Sequence, residues 1–265
     1  MSRLIVVSNR VSPPTGDGEE SVGGLAMALA AALKAYSGVW FGWSGRTIPE
    51  FTGELHTETV GGVESATVDL EEIDLDEYYN GYANKTLWPL FHYRIDLAAF
   101  DRAYGTGYRR VNRRFAETLA PLIQPDDVIW VHDYHLIPLA QELRALGVRN
   151  RIGFFLHIPW PAYQVFTTLP GHARLVEAMF DYDLVGFQTE EHARDFRDCA
   201  QRMLGATVDG EWIRLAGRRV RAFADPIGID AQAFAQDAER AEGDKEVLRV
   251  AESLSKDLIR GSLTF

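Results

Sequence analysis

The chain has 265 residues, of which 46% are hydrophobic and 25% charged, with a formal net charge of −11, so a well-filled globular core is expected while an acidic field opposes any nucleic-acid surface. The single cysteine, Cys199, excludes an internal disulfide and a cysteine-based zinc site and fits a reducing compartment. The apolar run at residues 4–7 is too short for a signal-peptide core, and no segment reaches the roughly 18 apolar residues of a membrane span, so a soluble, cytoplasmic protein is expected.

Residues 4–8 read as a first strand, followed by a loop rich in Pro, Gly and acid over residues 9–22. Gly23-Gly24 opens a predicted helix over 25–36, and residues 39–43 form a second strand candidate. Alternation over 62–70, after the turn signal Gly61-Gly62, predicts a strand in a β-hairpin insertion. Residues 71–93 begin acidic and continue with Tyr78, Tyr79, Tyr82, Trp88, Phe91 and Tyr93, which reads as a short helix plus an irregular loop. Helical periodicity over 108–123 ends at Pro125-Asp126-Asp127 and gives way to a strand at 128–131. Helix and strand then alternate through 138–146, 152–156, 171–180, 184–187 and 190–204, which is the pattern of βαβ units and a parallel sheet. Residues 206–223 read as a β-hairpin turning at Asp209-Gly210 or Ala216-Gly217, residues 226–229 as a short strand, and 235–252 as a charged, helix-prone tail. The fold class is therefore α/β, a Rossmann-like parallel sheet flanked by helices.

Two blocks carry the chemistry. Trp130-Val131-His132-Asp133-Tyr134-His135 and Phe154-Phe155-Leu156-His157-Ile158-Pro159 each start as a buried apolar strand and end on titratable side chains. Ligands of open α/β sheets bind beyond the carboxyl ends of the strands, which is where Asp133 and His157 fall. Either can equally be a buried, hydrogen-bonded structural group; together on neighbouring strand ends they could hold sugar hydroxyls. His132 and His135 flank Asp133, but His132 belongs on the other side of the strand and no compact His-x-x-x-His pair exists, so no metal is expected. Arg10 ends the first strand, and Gly23-Gly24 stands before a helix N-terminus, a combination suited to an anion. Trp43, Tyr79 and Trp88 read either as core or as faces for a sugar ring. The arginines at 94, 102, 109, 110, 113 and 114 read as a solvated helix face without a ligand.

These features resemble the trehalose-6-phosphate synthases, retaining glycosyltransferases that join glucose from UDP-glucose to glucose 6-phosphate. The stretches that carry the resemblance are Ser8-Asn9-Arg10, Gly23-Gly24-Leu25, Trp40-Phe41-Gly42-Trp43-Ser44-Gly45, Tyr78-Tyr79-Asn80, Leu87-Trp88-Pro89, Phe91-His92-Tyr93-Arg94, the two blocks above, Gly186-Phe187-Gln188-Thr189 and Pro226-Ile227-Gly228-Ile229. The resemblance implies one half of a two-domain GT-B glycosyltransferase: an acceptor-side Rossmann-like domain over 1–235, then a charged tail over 236–265 leading to a nucleotide-sugar domain absent from these residues. It implies that Arg10 and Tyr79 bind the acceptor phosphate, that Trp88, Asp133 and Trp43 shape the acceptor pocket, and that Gly23, Gly24 and His157 face the donor. Asp133 and His157 would be the catalytic pair. No cofactor and no enzyme nucleophile are implied, because the acceptor hydroxyl attacks from the face that UDP leaves.

By the same resemblance the chain is expected to be inactive alone, because the family's Arg-x-Asp-Tyr-x-Lys-Gly motif for the donor phosphates has no counterpart around Lys256 or Arg260. The resemblance leaves open a glucosylglycerol-phosphate synthase, a non-catalytic phosphosugar-binding regulatory subunit, a homo-oligomer and association with a full-length synthase. No nucleic-acid or membrane partner is expected.

Overall fold

The structure is a computed structural model that describes residues 3–11, 33, 38–60, 63–228, 231–241, 245 and 247–250. The predicted Gly23-Gly24 loop, the helix over 25–36 apart from Leu33, and most of the C-terminal tail lie outside the described residues. The chain divides into two units, Met1–Pro226 and Ile227–Phe265.

Among the described residues, the first unit is built on a ten-stranded sheet. Its strands are β1 (Leu4–Arg10), β2 (Val39–Ile48), β3 (His56–Val60), β4 (Val63–Glu71), β5 (Val128–His132), β6 (Arg151–Leu156), β7 (Leu184–Phe187), β8 (Thr207–Asp209), β9 (Trp212–Leu215) and β10 (Arg218–Ala224). They lie in the order β3-β4-β2-β1-β5-β6-β7-β10-β9-β8. The seven strands from β4 to β10 in that row run parallel, and antiparallel neighbours close both edges. From β1 the chain first moves outward to β2 and β4, then returns to place β5 on the other flank. The order therefore reverses between β1 and β5, the switch point at which doubly wound sheets leave a crevice.

Strand alternation assigns the two faces. Ile5, Val7, Phe41, Ile129, Val131, Ile152, Phe154, Val185 and Phe187 share one buried cluster with the described helices. Val6, Trp40 and Val63 point the other way and pack with Leu33, Leu4 and Trp130. Strands buried on both faces read as unbroken apolar runs, which is why β1, β5, β6 and β7 are visible in the sequence.

The segment following β4 departs from expectation. In place of a short helix and loop, residues 72–91 form one composite helix, α1: an α-helical turn (Glu72–Asp74), a long π-wound stretch (Leu75–Leu87) and a last α-turn (Trp88–Phe91). The Trp88 N–H donates to the Ala83 carbonyl five residues back, and Pro89 sits near the start of the last turn, where its missing N–H is tolerated. Helix α2 (Arg102–Leu119) starts where Asp101 accepts a hydrogen bond from the Ala103 N–H (2.8 Å), and it buries Val111, Phe115 and Leu119. Phe115 meets Phe41 edge-on at 5.5 Å.

The arginine face of α2 is not simply solvated. Arg110 and Arg114 both pair with the fully buried Asp74 of α1, and Arg114 also reaches Glu71. These pairs clamp α2 to α1.

Helices α3 (Leu139–Ala145), α4 (Tyr163–Phe166), α5 (His172–Ala178) and α6 (Glu190–Leu204) complete the layer. Thr189 caps α6 by accepting from the His192 N–H, and Gly205 ends it at a φ of 68°. The region 206–223 uses both predicted turns, so it is a three-stranded meander, not a single hairpin. Residues 226–228 are not a strand, because the last strand ends at Ala224. The second unit contains helix α7 (Ala231–Ala241). No helix among the described residues is long and apolar enough to cross a membrane.

Candidate active site

The switch-point crevice is edged by the ends of β1 and β5. Val7 pairs with Val131, so Arg10 and the His132-Asp133 pair emerge from neighbouring strands at the same end of the sheet. The last residues of β1 are held by a short relay. The Trp40 Nε1–H donates to Ser8 Oγ (2.8 Å), and the Ser8 hydroxyl donates to the Arg10 carbonyl (2.9 Å). Gly42 permits this closeness, since a Cβ there would lie 2.3 Å from the Ser8 carbonyl oxygen. The exposed Arg10 guanidinium sits 5.9 Å from the Trp43 ring centre. It also rests against Gly45, where φ is +91° and a Cβ would come within 2.7–2.9 Å of the guanidinium.

From Arg10 an aromatic chain runs onto α1. Trp43, fixed by its Nε1–H donating to the Arg46 carbonyl (2.7 Å), lies 6.0 Å from the Tyr79 ring. Tyr79 stacks on His135 at 5.8 Å, and His135 lies 4.0 Å from Tyr134. Two hydrogen bonds tie α1 to the strand ends: the Tyr78 hydroxyl donates to Asn9 Oδ1 (2.8 Å) and the Tyr134 hydroxyl donates to Asn84 Oδ1 (2.9 Å). Trp88, on the same composite helix, is 44% exposed and packs against His92 at 4.3 Å. A half-exposed indole offers an apolar face to a ring.

Asp133 stands at the crest of β5 with φ 75° and ψ 166°, a conformation that is almost confined to glycine and costs on the order of 1–3 kcal/mol. It is held there from both sides. The Asp133 N–H donates to the Phe155 carbonyl (2.8 Å), and Asp133 Oδ1 accepts from the His157 N–H (3.2 Å). Burial pushes its carboxyl up to about 6, against the backbone N–H groups of Tyr134 and His157 that favour the charged form. Near neutral pH it is a carboxylate that can accept hydrogen bonds.

Three histidines report the dryness of this region. Burial lowers His157 to about 4 and His135 to about 3, and it drives His132 well below the ordinary value, so all three rings are neutral at pH 7. Apart from these, the His92 Nδ1–H donates to the Trp88 carbonyl (2.7 Å).

Of the residues singled out from the sequence, the structure gathers Arg10, Trp43 and Tyr79 into one contact chain, and it joins Asp133 to His157. Trp88 lies on the same helix as Tyr79, outside that chain of contacts. Gly23 and Gly24 lie outside the described residues. Among the described residues, no group of three His, Cys, Asp or Glu side chains could hold a metal ion. A separate cavity of about 660 Å³ follows the opposite sheet face past Trp130, Gly153 and Phe155, and none of these site residues lines it.

Sequence reasoning missed the supports. Gly45 under Arg10, the Ser8–Trp40 relay and His135 beneath Tyr79 join segments far apart in the chain. The contact between His132 and His157 could have been found: His132 stands opposite Phe155 in the β5–β6 register, and His157 follows Phe155 by two residues on the same face.

Comparison with known proteins converges on one group. Residues 3–262 match the model of glycosyltransferase family 20. A trehalose-6-phosphate synthase of Sinorhizobium fredii is 46% identical over 259 residues, covering 97% of this chain and 56% of that protein. The crystal structure of an alpha,alpha-trehalose-phosphate synthase (UDP-forming) from Burkholderia vietnamiensis superposes with a TM-score of 0.90 at 47% identity, covering 96% of this chain and 55% of that one. A Burkholderia xenovorans enzyme of the same name, solved in complex with glucose-6-phosphate, gives a TM-score of 0.86 at 47% identity over 96% of this chain and 56% of that one. The chain thus spans about half the length of the relatives it matches.

Proposed function

The chain belongs to glycosyltransferase family 20, and from that premise we propose that residues 1–235 are the acceptor-side domain of an alpha,alpha-trehalose-phosphate synthase (UDP-forming). In this reading the crevice between β1 and β5 takes glucose 6-phosphate, and the glucose of UDP-glucose is transferred to it with retention. The observation that carries the reading is the pairing at the switch point: an exposed arginine ends β1, a strained, half-buried carboxylate ends β5, and an aromatic wall runs between them.

Each group has a definite role. Arg10, with the Tyr79 hydroxyl, binds the acceptor phosphate, where a guanidinium fork matches phosphate oxygens. Trp43 supports Arg10 from one side, and Trp88 covers the sugar ring at the rim. Asp133 accepts hydrogen bonds from acceptor hydroxyls. The neutral His157 faces the donor glucose, as does the loop bearing Gly23 and Gly24. With a neutral imidazole and a carboxylate in a dry crevice, the contribution of this half is orientation of the acceptor hydroxyl and shielding from water. The departing phosphate, not a side chain of this half, takes up the hydroxyl proton.

Calorimetric titration of glucose 6-phosphate and of glucose tests the proposal. A charge-assisted contact is worth on the order of 1.5–3 kcal/mol, so Arg10→Ala is expected to weaken glucose 6-phosphate binding about tenfold or more and to leave glucose unchanged. Equal losses for both sugars, or none for either, remove Arg10 from the site.

A further inference from the structure

The Nδ1 atom of His132 lies 3.0 Å from Nε2 of His157, with the rings 5.3 Å apart and inclined by only 22°. Trp130 flanks His132 at 4.4 Å and Phe155 flanks His157 at 4.7 Å, so an aromatic ring packs against each imidazole. Both imidazoles are neutral near pH 7, and each therefore carries one proton. A hydrogen bond at this distance places one proton between them, which leaves two arrangements.

In the first, His157 donates from Nε2, and His132 must carry its own proton on Nε2. That atom is enclosed and has no partner, and an orphaned buried N–H costs about 1–3 kcal/mol. In the second, His132 donates from Nδ1, and its Nε2 is a bare lone pair, the cheaper group to leave unpaired. His157 must then hold its proton on Nδ1. That atom has no hydrogen-bond partner among the described residues and is not among the enclosed polar atoms.

We propose that His132 is a positioning residue that fixes the tautomer of His157, so that His157 presents Nδ1–H as a hydrogen-bond donor toward a ligand oxygen in the switch-point crevice. The ligand half of this statement rests on the synthase reading; the tautomer half is a property of the free chain. A donor at this place selects hydroxyl or phosphate oxygens and gives no acceptor to a competing N–H. His157 acts on the ligand, and His132 acts only through His157.

The test is long-range ¹H–¹⁵N correlation on ¹⁵N-histidine-labelled protein at pH 7, without ligand. The expected pattern is a protonated Nδ1 and an unprotonated Nε2 on both rings, with scalar coupling across the hydrogen bond showing His132 as donor. A protonated Nε2 on His157 overturns the proposal without any variant. His132→Gln keeps an N–H donor and should preserve the His157 pattern, whereas His132→Phe keeps the volume, removes the donor and should move the His157 proton toward Nε2. An unchanged His157 in the Phe variant also overturns it. Failure of the synthase reading leaves these free-chain signals as they are, so the two ideas fail separately.

Discussion

Acidification from pH 7 to pH 5 is expected to destabilise this fold through its buried histidines. A base whose folded pKa lies below its ordinary value is protonated more readily in the unfolded chain, so stability is lost as pH falls through the ordinary value. His135 is held at about 3 against an ordinary 6.5. At pH 5 nearly every unfolded copy is charged and almost no folded copy is, a difference of ~2 kcal/mol. His157, at about 4, contributes a further loss of ~2 kcal/mol at the same pH, and His132 and His192 are shifted in the same direction.

Asp133 opposes them. Its carboxyl, raised to about 6, takes up a proton in the folded state first, and between pH 7 and 5 this returns ~1 kcal/mol. Asp181 and Asp195, also raised by burial, act in the same sense. The net loss is about 2–4 kcal/mol, which corresponds to roughly 5–15 °C in melting temperature for a domain of this size. Calorimetric melts at pH 7, 6 and 5 measure it. His135→Phe keeps the aromatic stack under Tyr79 and removes the titration, so it should flatten the pH dependence by ~2 kcal/mol at pH 5. Equal melting temperatures at pH 7 and 5, or a Phe variant with the full dependence, refute the assignment of dry, neutral rings.

Two substitutions probe the supports of the site and the scaffold. Gly45→Val places a side chain where the Arg10 guanidinium rests and where φ is +91°, so glucose 6-phosphate affinity should fall about tenfold, read by titration, as the arginine contact is displaced. Asp74→Ala removes the buried partner that Arg110 and Arg114 share, leaving them Glu77 and Glu71, and should cost about 1.5–3 kcal/mol in urea unfolding; a loss below ~1 kcal/mol would reduce that cluster to an ordinary surface pair.

The parallel strands were legible because each is a short apolar run ending in turn residues or in the polar side chains of the site. The βαβ alternation alone placed Arg10, Asp133 and His157 at one end of the sheet. Helix α1 was not legible: Asn80, Gly81, Asn84 and Pro89 read as loop, and π-winding spaces the buried residues Tyr78, Gly81, Ala83, Thr86 and Leu87 off the 3.6-residue period. The arginines of α2 looked solvated because their partner Asp74 lies 36 and 40 residues away, on an element whose helical form was itself hidden. Residues 226–229 read as a strand from their apolar content, but the meander ends at Ala224 and leaves the described residues 226–228 without a ladder. The positive φ of Asp133 has no sequence signature, since an aspartate there is imposed by its bonds to Phe155 and His157. A tertiary constraint of this kind marks a site, because backbone strain persists only where the surroundings hold it.

A crystal structure of this chain with glucose 6-phosphate decides whether the crevice between β1 and β5 is an acceptor site. The phosphate is expected within hydrogen-bond distance of Arg10 and the Tyr79 hydroxyl, with a sugar hydroxyl on the Asp133 carboxylate and the ring beneath Trp88. Phosphate density away from Arg10, or the sugar in the Trp130–Phe155 cavity on the opposite face of the sheet, would contradict it.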